Sequence, residues 1–515
     1  MSGLTIGSVF RNGARATPDR PAVVLGARCL TFGEVDRLAD AWITVLRSAG
    51  LRQGDRVLSW TGTTADVVPA FAALARMGAV YCPLPGTLGV TEAASIAEVC
   101  LPALLLADGE HAAAARELAG MCDVPVIVLD DAVPGLAPEP KQYEDVPDER
   151  DPHVVFFTSG STGRPKGVVL SHRVNYLRTI PGAQLEPRGA MVCVYPLFHM
   201  GAWTISLQQW QARDTVVYVP KADGPAVCAA VRRHAATRLN AIPAVWQRVL
   251  DELEAETDAA GPVRGILPSI RFADSGTSAT PPGLLARIAR ACPDAHLRVF
   301  YGSTEAGNVS SLGGDEITNK PSSCGVPASA TEIRIDKETG ELCARGPLVF
   351  DGYLNDPNAT AAALQDGWYH TGDIAQVDAD GYLSIVGRVA DVIRTGGESV
   401  APAEVEAALR DLPGAADLAV IGLPDEQWGE LVCAVVVPSD APPTLEDVRA
   451  WCGTRLASYK VPRVLHLVES LPRTPATGQI QRRRLVAALS GNPGLSENAA
   501  ASGNLSGNTE REEET

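Results

Sequence analysis

A loop of glycines and hydroxylated residues follows an apolar run in the sequence and has the composition of a phosphate-binding loop. The stretch VVFFTSGSTGRPKGVVLSH covers Val154 to His172, and its loop runs from Thr158 to Gly167. Glycines let backbone N–H groups turn toward a ligand, hydroxyls donate hydrogen bonds, and Lys166 adds a positive charge. It is not a G-x-x-x-x-G-K-[ST] loop, because a strand and not a helix is expected after Lys166. A flexible surface loop between two strands is the alternative interpretation.

Two further segments place polar side chains at the ends of expected strands. In VFYGSTEAG, Tyr301 is suited to stack on a base, Thr304 to donate to a phosphate and Glu305 to hold Mg²⁺. In YHTGDIAQVDADGYLSIVGR, Asp373 is suited to the two hydroxyls of a ribose, and Arg388 to reinforce that contact. Each segment alone is weak evidence, since turns after strands often have such a composition and an aspartate there is usually a turn residue or a helix cap.

Helical and strand patterns alternate along the chain, which predicts an α/β fold. TFGEVDRLADAWITVLRSAGL has apolar residues at three- to four-residue spacing and a glycine stop near Gly50, as an amphipathic helix would. RDTVVYVP, LPSIRFADSG and HLRVFYGST are typical of buried strands, and each delivers a small or polar residue at its carboxyl end. Ligands bind at that edge of open α/β sheets. We therefore expect a large N-terminal domain of packed sheets and helices with its site at this edge.

A second, smaller α/β domain is expected after Arg388. A helix in APAEVEAALRDL, strands in ADLAVIGLP and LVCAVVVP, and a helix in TLEDVRAWCGTRL follow one another over about 100 residues, enough for a small core. The last residues are rich in Ser, Gly, Asn, Ala and Glu, with little to bury. The predicted organisation is an N-terminal domain at 1–387, a hinge at 388–391, a C-terminal domain at 392–489 and a disordered tail at 490–515.

Composition limits the class of protein. The 515 residues exceed one ordinary core, and at about 150 residues per domain two to four domains are expected. A net charge of −17 argues against nucleic acid or an anionic membrane as the main partner, although a small anionic ligand in a local basic pocket stays possible. The eleven cysteines form no C-x-x-C pair and predict free thiols of a reducing compartment. The first residues lack the apolar core of a signal peptide, so we expect a cytoplasmic protein.

Taken in this order, the segments resemble the adenylate-forming superfamily of acyl-CoA synthetases, peptide-synthetase adenylation domains and luciferases. The resemblance rests on TSGSTGRPKG, YGSTEAG, YHTGD, GYLSIVGR and GGESVAPAEVE, and it extends from about Thr31 to Leu485. It implies an N-terminal domain that binds nucleotide and acid, and a mobile C-terminal domain that rotates between two half-reactions. The implied ligands are the AMP moiety of an acyl-adenylate (ATP where adenylation takes place), coenzyme A and Mg²⁺.

The resemblance implies a role for each matching residue of the nucleotide site. Adenine would lie between Tyr301 and the backbone near Ser275 and Gly276, while Thr304 and Glu305 would serve the phosphate and the metal. The residues implied for nucleotide, phosphates and Mg²⁺ are Thr158, Ser159, Gly160, Ser161, Thr162, Gly163, Lys166, Ser275, Gly276, Tyr301, Gly302, Thr304, Glu305, Asp373, Ile385 and Arg388.

For coenzyme A, the resemblance implies a channel in the C-terminal domain. The loop Gly396, Gly397 and Glu398 would form one wall for the pantetheine arm, where a Cβ would narrow the passage. Trp428 and Tyr459 are candidates to contact the nucleotide of coenzyme A.

For the acid, the resemblance places His199 of PLFHMGAW at the mouth of the acyl pocket. Amino-acid-activating relatives carry an aspartate just after the phenylalanine, where it pairs with the substrate amine. This chain has FHMG, which predicts a carboxylic acid without a free α-amine. Trp203, Trp246 and Thr277 are candidates to line the pocket and equally candidates for core packing.

The stretch LPRTPATGQIQRRRL departs from the family pattern P-x-x-G-K, because Gln479 stands at the position of the lysine. In the family that lysine crosses from the C-terminal domain to the α-phosphate and the acid during adenylation. Losing one well-placed donor costs about 10²–10³ in rate. The substitution predicts a ligase that has lost, or nearly lost, adenylation, similar to the non-adenylating ligases of platensimycin-type diterpenoid biosynthesis, which work beside a separate adenylating enzyme. An engineered substitution, or compensation by Lys460 or Arg473, is the alternative.

Three other functions stay open: a full two-step ATP-dependent acyl-CoA synthetase, a stand-alone adenylation enzyme, and a non-catalytic nucleotide-binding pseudo-enzyme. A second departure is Ala390, where relatives carry Asp or Lys at the hinge. The residues expected to act in catalysis are Thr304, His199, Gly397 and Gln479 at the lysine position.

Overall fold

The computed structural model describes residues 3–131, 134–136, 147–159, 165–184, 186–260, 266–276, 280–439, 441–453, 455–474, 478–490 and 509–511. The chain divides into two compact units: unit 1 is Met1–Ile333 with Ala344–Tyr369, and unit 2 is Arg334–Cys343 with His370–Thr515. The predicted mixed α/β fold with a large N-terminal and a small C-terminal part is confirmed. A compact unit need not end at a hinge, so the hinge at 388–391 stays a prediction.

The helices have the following bounds in chain order. They are α1 (Ile6–Ala16), α2 (Phe32–Ser48), α3 (Val67–Met77), α4 (Val90–Cys100), α5 (Ala112–Cys122), α6 (His172–Thr179), α7 (Met200–Gln211), α8 (Gly224–Arg233), α9 (Pro243–Ala260), α10 (Pro282–Ala291), α11 (Glu316–Asn319), α12 (Pro357–Ala363), α13 (Pro402–Leu409), α14 (Leu445–Gly453) and α15 (Arg482–Leu489). The expected helix before Gly50 is α2. It begins with a capping box, because Glu34 N donates to Thr31 Oγ1 at 3.2 Å and Thr31 N donates to Glu34 Oε2 at 2.8 Å.

Twenty strands of the described residues lie between Pro21 and Val377. They are β1 (Pro21–Leu25), β2 (Arg28–Thr31), β3 (Arg56–Trp60), β4 (Val80–Leu84), β5 (Leu104–Ala107), β6 (Val126–Val128), β7 (Pro152–Ser159), β8 (Pro165–Ser171), β9 (Met191–Cys193), β10 (Val216–Tyr218), β11 (Arg238–Ala241), β12 (Phe272–Gly276), β13 (His296–Ser303), β14 (Gly307–Gly313), β15 (Val326–Pro327), β16 (Glu332–Ile335), β17 (Glu341–Arg345), β18 (Gly352–Tyr353), β19 (Leu364–Gln365) and β20 (Trp368–Val377). The remaining strands are β21 (Leu383–Arg388), β22 (Ile393–Thr395), β23 (Glu398–Val400), β24 (Ala415–Asp425), β25 (Gly429–Pro438), β26 (Val464–Leu467) and β27 (Thr509–Arg511).

The strands of unit 1 form two large sheets. One has nine strands in the order β15-β14-β13-β12-β11-β9-β10-β1-β2, and the other has seven in the order β18-β8-β7-β4-β3-β5-β6. In the first sheet the five strands β9 to β13 are parallel to one another, so that the carboxyl ends of β12 and β13 lie at the same edge. A smaller sheet has the order β16-β17-β20-β19 with β21 beside β20.

Unit 2 is built around a sheet in the order β23-β22-β25-β26-β27, with β24 paired to β25. Apolar residues of α13 and α14 pack on one face, and those of α15 on the other. Within the segment expected to be a disordered tail, residues 509–511 form β27 antiparallel to β26, and the disordered tail itself stays a prediction. The strand pairs there because β26 would otherwise be an edge strand, whose backbone groups pair readily with an extended segment. Residues 491–508 and 512–515 lie outside the described part of the chain.

Four charged side chains join α1, α2 and α3 inside unit 1. Arg11 lies 3.1 Å from Asp36 Oδ2 and 2.9 Å from Asp40 Oδ1, while Arg76 pairs with Asp36 and lies 2.8 Å from Asp40. Both carboxylates are buried. Removing one member would therefore leave a buried charge uncompensated, which typically costs about 3–5 kcal/mol.

None of the eleven cysteines, all of which lie in the described ranges, forms a disulfide. Among the described helices, none combines the length and the apolar character that crossing a membrane requires.

Two buried histidines lie side by side in unit 1. The rings of His153 and His172 have centroids 4.6 Å apart, and the two residues are 1% and 0% exposed. The N–H of Ile6 donates to His172 Nδ1 at 3.2 Å, which requires that nitrogen to be unprotonated. Burial lowers the pKa of His172 to about 4, although Asp151 acts in the opposite direction. Burial, together with the neighbouring His172, also lowers the pKa of His153.

These histidines predict a loss of stability in mild acid. The unfolded imidazole takes up a proton below its ordinary pKa of about 6.5, whereas folded His172 stays neutral down to about pH 4, so protons favour the unfolded chain between those values. We expect His172 alone to lower the free energy of unfolding by about 2–3 kcal/mol at pH 4.5 relative to pH 7. Urea denaturation at several pH values checks this, with His172→Asn as the comparison, because its Oδ1 takes the place of Nδ1 as an acceptor for Ile6 and does not titrate. An equally steep decline in that variant would contradict the assignment.

Candidate functional site

The residues expected around adenine meet at the carboxyl edge of β12 and β13. Gly276 lies opposite Phe300, and a Cβ on Gly276 would lie 2.9 Å from the carbonyl oxygen of Phe300, so only glycine allows this approach. Ser275 is buried, and its Oγ lies 2.8 Å from Thr280 Oγ1. Tyr301 follows Phe300 and is half-buried. The backbone near Ser275 and Gly276 and the ring of Tyr301 are thus carried by neighbouring parallel strands.

A tight connection between β13 and β14 carries Thr304 and Glu305. A Cβ on Gly302 would overlap the carbonyl oxygen of Gly307, so the two strands can approach here only without a side chain. The N–H of Ala306 donates to Ser303 Oγ at 3.0 Å and closes the turn. Both Thr304 and Glu305 are half-buried, as groups that meet a ligand at a sheet edge would be.

Arg178 of α6 fixes this turn and was missed in the sequence. Its Nη1 donates to the carbonyl oxygen of Thr304 at 2.9 Å and its Nη2 to that of Glu305 at 2.9 Å. Nε and Nη2 also donate to the carbonyl oxygen of Leu348, at 2.8 and 2.6 Å. Burial lowers the pKa of Arg178 to about 10, although Glu305 and Asp351 act in the opposite direction. A charged residue in a helix gives no sequence signal that it is buried against carbonyls 126 and 127 positions away.

The candidate phosphate loop joins the antiparallel strands β7 and β8, where Thr158 lies opposite Lys166. Lys166 Nζ lies 4.9 Å from the centroid of the Tyr353 ring, and the hydroxyl of Tyr353 donates to Glu305 Oε1 at 3.1 Å. Tyr353 was also missed in the sequence. Of the residues predicted for this loop, Gly160, Ser161, Thr162 and Gly163 lie outside the described residues, as does the side chain of Ser159.

Glu305 fits the role of Mg²⁺ ligand that the sequence predicts for it. One carboxylate suffices for Mg²⁺ when phosphates and water supply the other ligands. Within the described residues, no group of three or more His, Cys, Asp or Glu side chains could hold a metal by itself. The arrangement therefore suits a metal that arrives with a polyphosphate.

His199 caps α7 and is half-buried. The N–H of Gly201 donates to His199 Nδ1 at 3.0 Å, so a neutral ring carries its hydrogen on Nε2. Burial lowers the pKa of His199 to about 4, which keeps it neutral at neutral pH. Its ring stacks on Tyr195, with centroids 6.0 Å apart.

The two tryptophans named for the acyl pocket are fully buried. Trp203 stacks on Phe71 at 4.0 Å and its Nε1 donates to the carbonyl oxygen of Leu197; Trp246 Nε1 donates to that of Asp274 at 2.8 Å. This geometry agrees with the core-packing interpretation, and the pocket role stays a prediction. Thr277 lies outside the described residues.

In unit 2, Asp373 and Arg388 come together as expected. They face each other on β20 and β21, with Arg388 Nε 2.6 Å from Asp373 Oδ1. Asp373 is buried whereas Arg388 is exposed, so the guanidinium is the member of the pair that solvent reaches. Ile385 is half-buried on the same strand, opposite Ala375. Such a carboxylate and guanidinium suit the hydroxyls of a ribose.

The predicted channel loop is the two-residue turn of a hairpin formed by β22 and β23. Thr395 pairs with Glu398, and Gly396 and Gly397 have φ of +58° and +86°, as a type I′ turn requires. A Cβ on Gly396 would lie 2.8 Å from Trp428 Cε3, whereas a Cβ on Gly397 would meet nothing within 4 Å. Gly397 therefore faces open space, as the wall of a passage would, and Glu398 is exposed beside it.

Both aromatic candidates for coenzyme A lie next to cations. The guanidinium carbon of Arg463 lies 3.8 Å from the centroid of the Trp428 ring. Tyr459 is 36% exposed, and Lys460 Nζ lies 5.6 Å from the centroid of its ring. Each ring thus has a cationic side chain beside it in unit 2.

Gln479 is exposed on the loop that the sequence singled out. Its N–H donates to Thr474 Oγ1 at 3.1 Å and its carbonyl oxygen accepts from Thr474 N at 2.8 Å. The two cations named as substitutes are held elsewhere: Lys460 Nζ lies 2.6 Å from Glu404 Oε1, and Arg473 Nη2 lies 2.7 Å from Asp417 Oδ2. The loop therefore presents a neutral amide.

The chain matches the AMP-binding enzyme family over residues 10–354 and the AMP-binding enzyme C-terminal domain over residues 404–477. It belongs to this family of AMP-binding enzymes. Among curated relatives, a feruloyl-CoA synthase of Amycolatopsis sp. is 34% identical over 91% of this chain and 97% of its own, and an oxalate–CoA ligase of Arabidopsis thaliana is 31% identical over 94% and 98%.

Solved structures of AMP-binding enzymes are similar over the same length. ATP-bound MatB of Rhodopseudomonas palustris has a TM-score of 0.83 at 26% identity, covering 94% of this chain and 99% of its own. The o-succinylbenzoate-CoA synthetase MenE of Bacillus subtilis, in complex with its acyl-adenylate intermediate, has a TM-score of 0.81 at 26% identity over 93% and 97%. The chain is thus an acyl-CoA synthetase-type ligase, and the resemblance to the acyl-CoA ligase branch is confirmed. The narrower likeness to platensimycin-type ligases stays a prediction.

Proposed function

We propose that this ligase forms an acyl-CoA thioester from a preformed acyl-adenylate and coenzyme A, and that its ATP-dependent adenylation of the free acid is lost or weak. The observation that carries the proposal is Gln479, which stands where the family pattern has lysine. The acyl-adenylate would then come from a separate adenylating enzyme.

Adenylation is the half-reaction that needs a cation. The carboxylate oxygen attacks the α-phosphorus of ATP, a new C(O)–O–P linkage forms, and the bond to the β-phosphate breaks as pyrophosphate leaves with the electron pair. Negative charge on the transferring phosphorus must be stabilised. Gln479 can donate an amide N–H but carries no charge, and the ion pairs of Lys460 with Glu404 and of Arg473 with Asp417 oppose their use as substitutes.

Thioester formation does not need that cation. The sulfur of coenzyme A attacks the acyl carbon, the C–O bond to AMP breaks, AMP leaves with the electron pair, and the thiol proton passes to solvent. The chain's contribution is a passage to the acyl carbon, and the open space at Gly397 supports one. His199 is neutral and protonated on Nε2, so it is suited to donate a hydrogen bond to the acyl group at the mouth of the pocket.

The acid is inferred to be a carboxylic acid without an α-amine. The support is FHMG at His199, where no aspartate follows Phe198 to pair with an amine. Relatives named feruloyl-CoA synthase and oxalate–CoA ligase agree with a carboxylic acid of this kind.

A full two-step acyl-CoA synthetase is the second candidate function. Asp373 with Arg388, and Glu305 with Lys166, are retained as an ATP-using enzyme would need them. The same residues weigh against a pseudo-enzyme, because a chain without activity would be expected to lose them.

Two parallel assays with different substrates distinguish these functions. One supplies a panel of carboxylic acids with ATP, Mg²⁺ and coenzyme A; the other supplies the matching synthetic acyl-adenylates with coenzyme A. Mass spectrometry measures acyl-CoA, and reactions without protein correct for spontaneous acylation. We expect product from the adenylates only. Comparable rates from both assays would overturn the proposal in favour of the two-step synthetase, and product from neither would favour a pseudo-enzyme.

A further inference from the structure

Tyr353 contacts both charged groups that face the candidate phosphate site of unit 1, yet no motif in the sequence pointed to it. Its hydroxyl donates to Glu305 Oε1 at 3.1 Å, and Lys166 Nζ lies 4.9 Å from the centroid of its ring. A cation over an aromatic face is attracted by the electrons of the ring. One side chain therefore holds a carboxylate at its tip and an ammonium at its face.

Tyr353 is itself fixed in place. It pairs with Val168 on β8, the strand that also carries Lys166. Its N–H donates to Thr360 Oγ1 at 2.9 Å, and its ring packs edge-on against Phe350 with centroids 4.8 Å apart. The position of the hydroxyl is thus determined before any ligand arrives.

The hydrogen bond to Glu305 persists across the neutral pH range. Burial, and then the negative charge of Glu305, raise the pKa of Tyr353, so the phenol keeps the proton that it donates. Hydrogen bonds to a charged acceptor are the stronger kind. Deprotonation does not compete with this contact near neutral pH.

Glu305 is held at both ends. Its carbonyl oxygen accepts from Arg178 Nη2 at 2.9 Å and from Phe350 N at 2.7 Å, while Tyr353 holds Oε1. In the described part of the chain Oε2 has no hydrogen-bond partner, and Lys166 forms no ion pair. The second carboxylate oxygen and the ammonium are therefore available to a cation and to an anion respectively.

We propose that Tyr353 is a positioning residue for a Mg²⁺–polyphosphate ligand: it orients Glu305 toward the metal and holds Lys166 for the phosphates. The occupant that fits is a nucleoside triphosphate with its divalent cation, because AMP alone has no polyphosphate that requires the metal. This inference concerns binding and goes beyond the proposed function, since it holds whether or not adenylation follows.

Isothermal titration of the full chain with Mg²⁺·ATP and with AMP tests it. Tyr353→Phe removes only the hydroxyl, and Tyr176→Phe, a half-buried tyrosine on α6, is the matched control. We expect Tyr353→Phe to weaken Mg²⁺·ATP binding about tenfold and AMP binding less than about twofold, as the loss of one hydrogen bond to a charged group would. The Mg²⁺ concentration for half-maximal ATP binding should also rise, and the control should change neither value.

A second variant separates the two contacts. Tyr353→Leu removes the ring as well, so Lys166 loses its support and ATP binding should weaken further, including without Mg²⁺. Thermal melting establishes that each variant is folded. If Tyr353→Leu does not fold, Tyr353→Phe alone still tests the proposal. Equal losses for AMP and Mg²⁺·ATP, unchanged ATP binding in Tyr353→Phe, or no ATP binding by the wild-type chain would overturn the proposal. Adenylation by the wild-type chain would overturn only the proposed function.

Discussion

Gln479→Lys should convert the chain into a two-step synthetase. We expect acyl-CoA formation from free acid, ATP and coenzyme A to rise by about 10²–10³, the rate usually lost with one well-placed donor to a developing charge. The rate from synthetic acyl-adenylate should stay within about threefold, because the thiol attacks the acyl carbon and no phosphoryl group is transferred in that step. Pyrophosphate release and acyl-CoA, measured in the same reactions, give both rates.

The neighbouring glutamine supplies the control for charge alone. Gln481→Lys adds the same charge two positions later, at the start of α15. It should leave pyrophosphate release at the wild-type level. If Gln479→Lys gave no increase, or if both variants gave the same increase, position 479 would not be what limits adenylation.

Gly397→Leu should block thioester formation. A side chain at this position projects into open space that the resemblance assigns to the pantetheine arm. Misplacing a reacting group by about 1 Å can cost about 10² in rate, so a leucine in the passage should lower acyl-CoA formation from acyl-adenylate at least that much. Affinity for a non-hydrolysable acyl-adenylate analogue should not change. Mass spectrometry and titration measure the two effects.

The variant Gly381→Leu is the control that distinguishes a blocked channel from backbone strain. Gly381 has φ +88° and Gly397 has φ +86°, and a Cβ would meet nothing within 4 Å at either position. A leucine therefore costs the same conformational strain at both, about 1–2 kcal/mol. Because the strain is the same, Gly381→Leu should have a melting temperature close to that of Gly397→Leu. It should keep activity within about threefold of wild type, since Gly381 lies outside the channel loop. Similar losses in both variants would count against the channel.

Local patterns predicted the parts of the site that lie near one another in the chain. Asp373 and Arg388 are partners in one hairpin, and both come from the single stretch YHTGDIAQVDADGYLSIVGR. Gly396 and Gly397 likewise specify their own turn. In each case the residue types fix a short stretch of backbone, and the side chains follow from it.

Long-range contacts escaped prediction because their signal is not local. Arg178 and Tyr353 bind to the Thr304–Glu305 turn from distant positions in the chain. Nothing in the sequence next to either residue indicates that its side chain is buried or hydrogen-bonded. Trp203 could not be assigned because a pocket wall and a core residue have the same apolar character. The strand at 509–511 depends on an edge that only the folded sheet provides.

Arg11 of the first helix completes a charge network with Asp36, Asp40 and Arg76, so this helix contributes to the stability of unit 1. The two arginines and two aspartates sum to zero charge inside the protein. Translation initiated after Ala16 would omit Arg11 and leave one guanidinium for two buried carboxylates. We expect a shorter open reading frame, or an N-terminal deletion chosen for crystallisation, to lower the free energy of unfolding by about 3–5 kcal/mol, the usual loss when one member of a buried ion pair is removed.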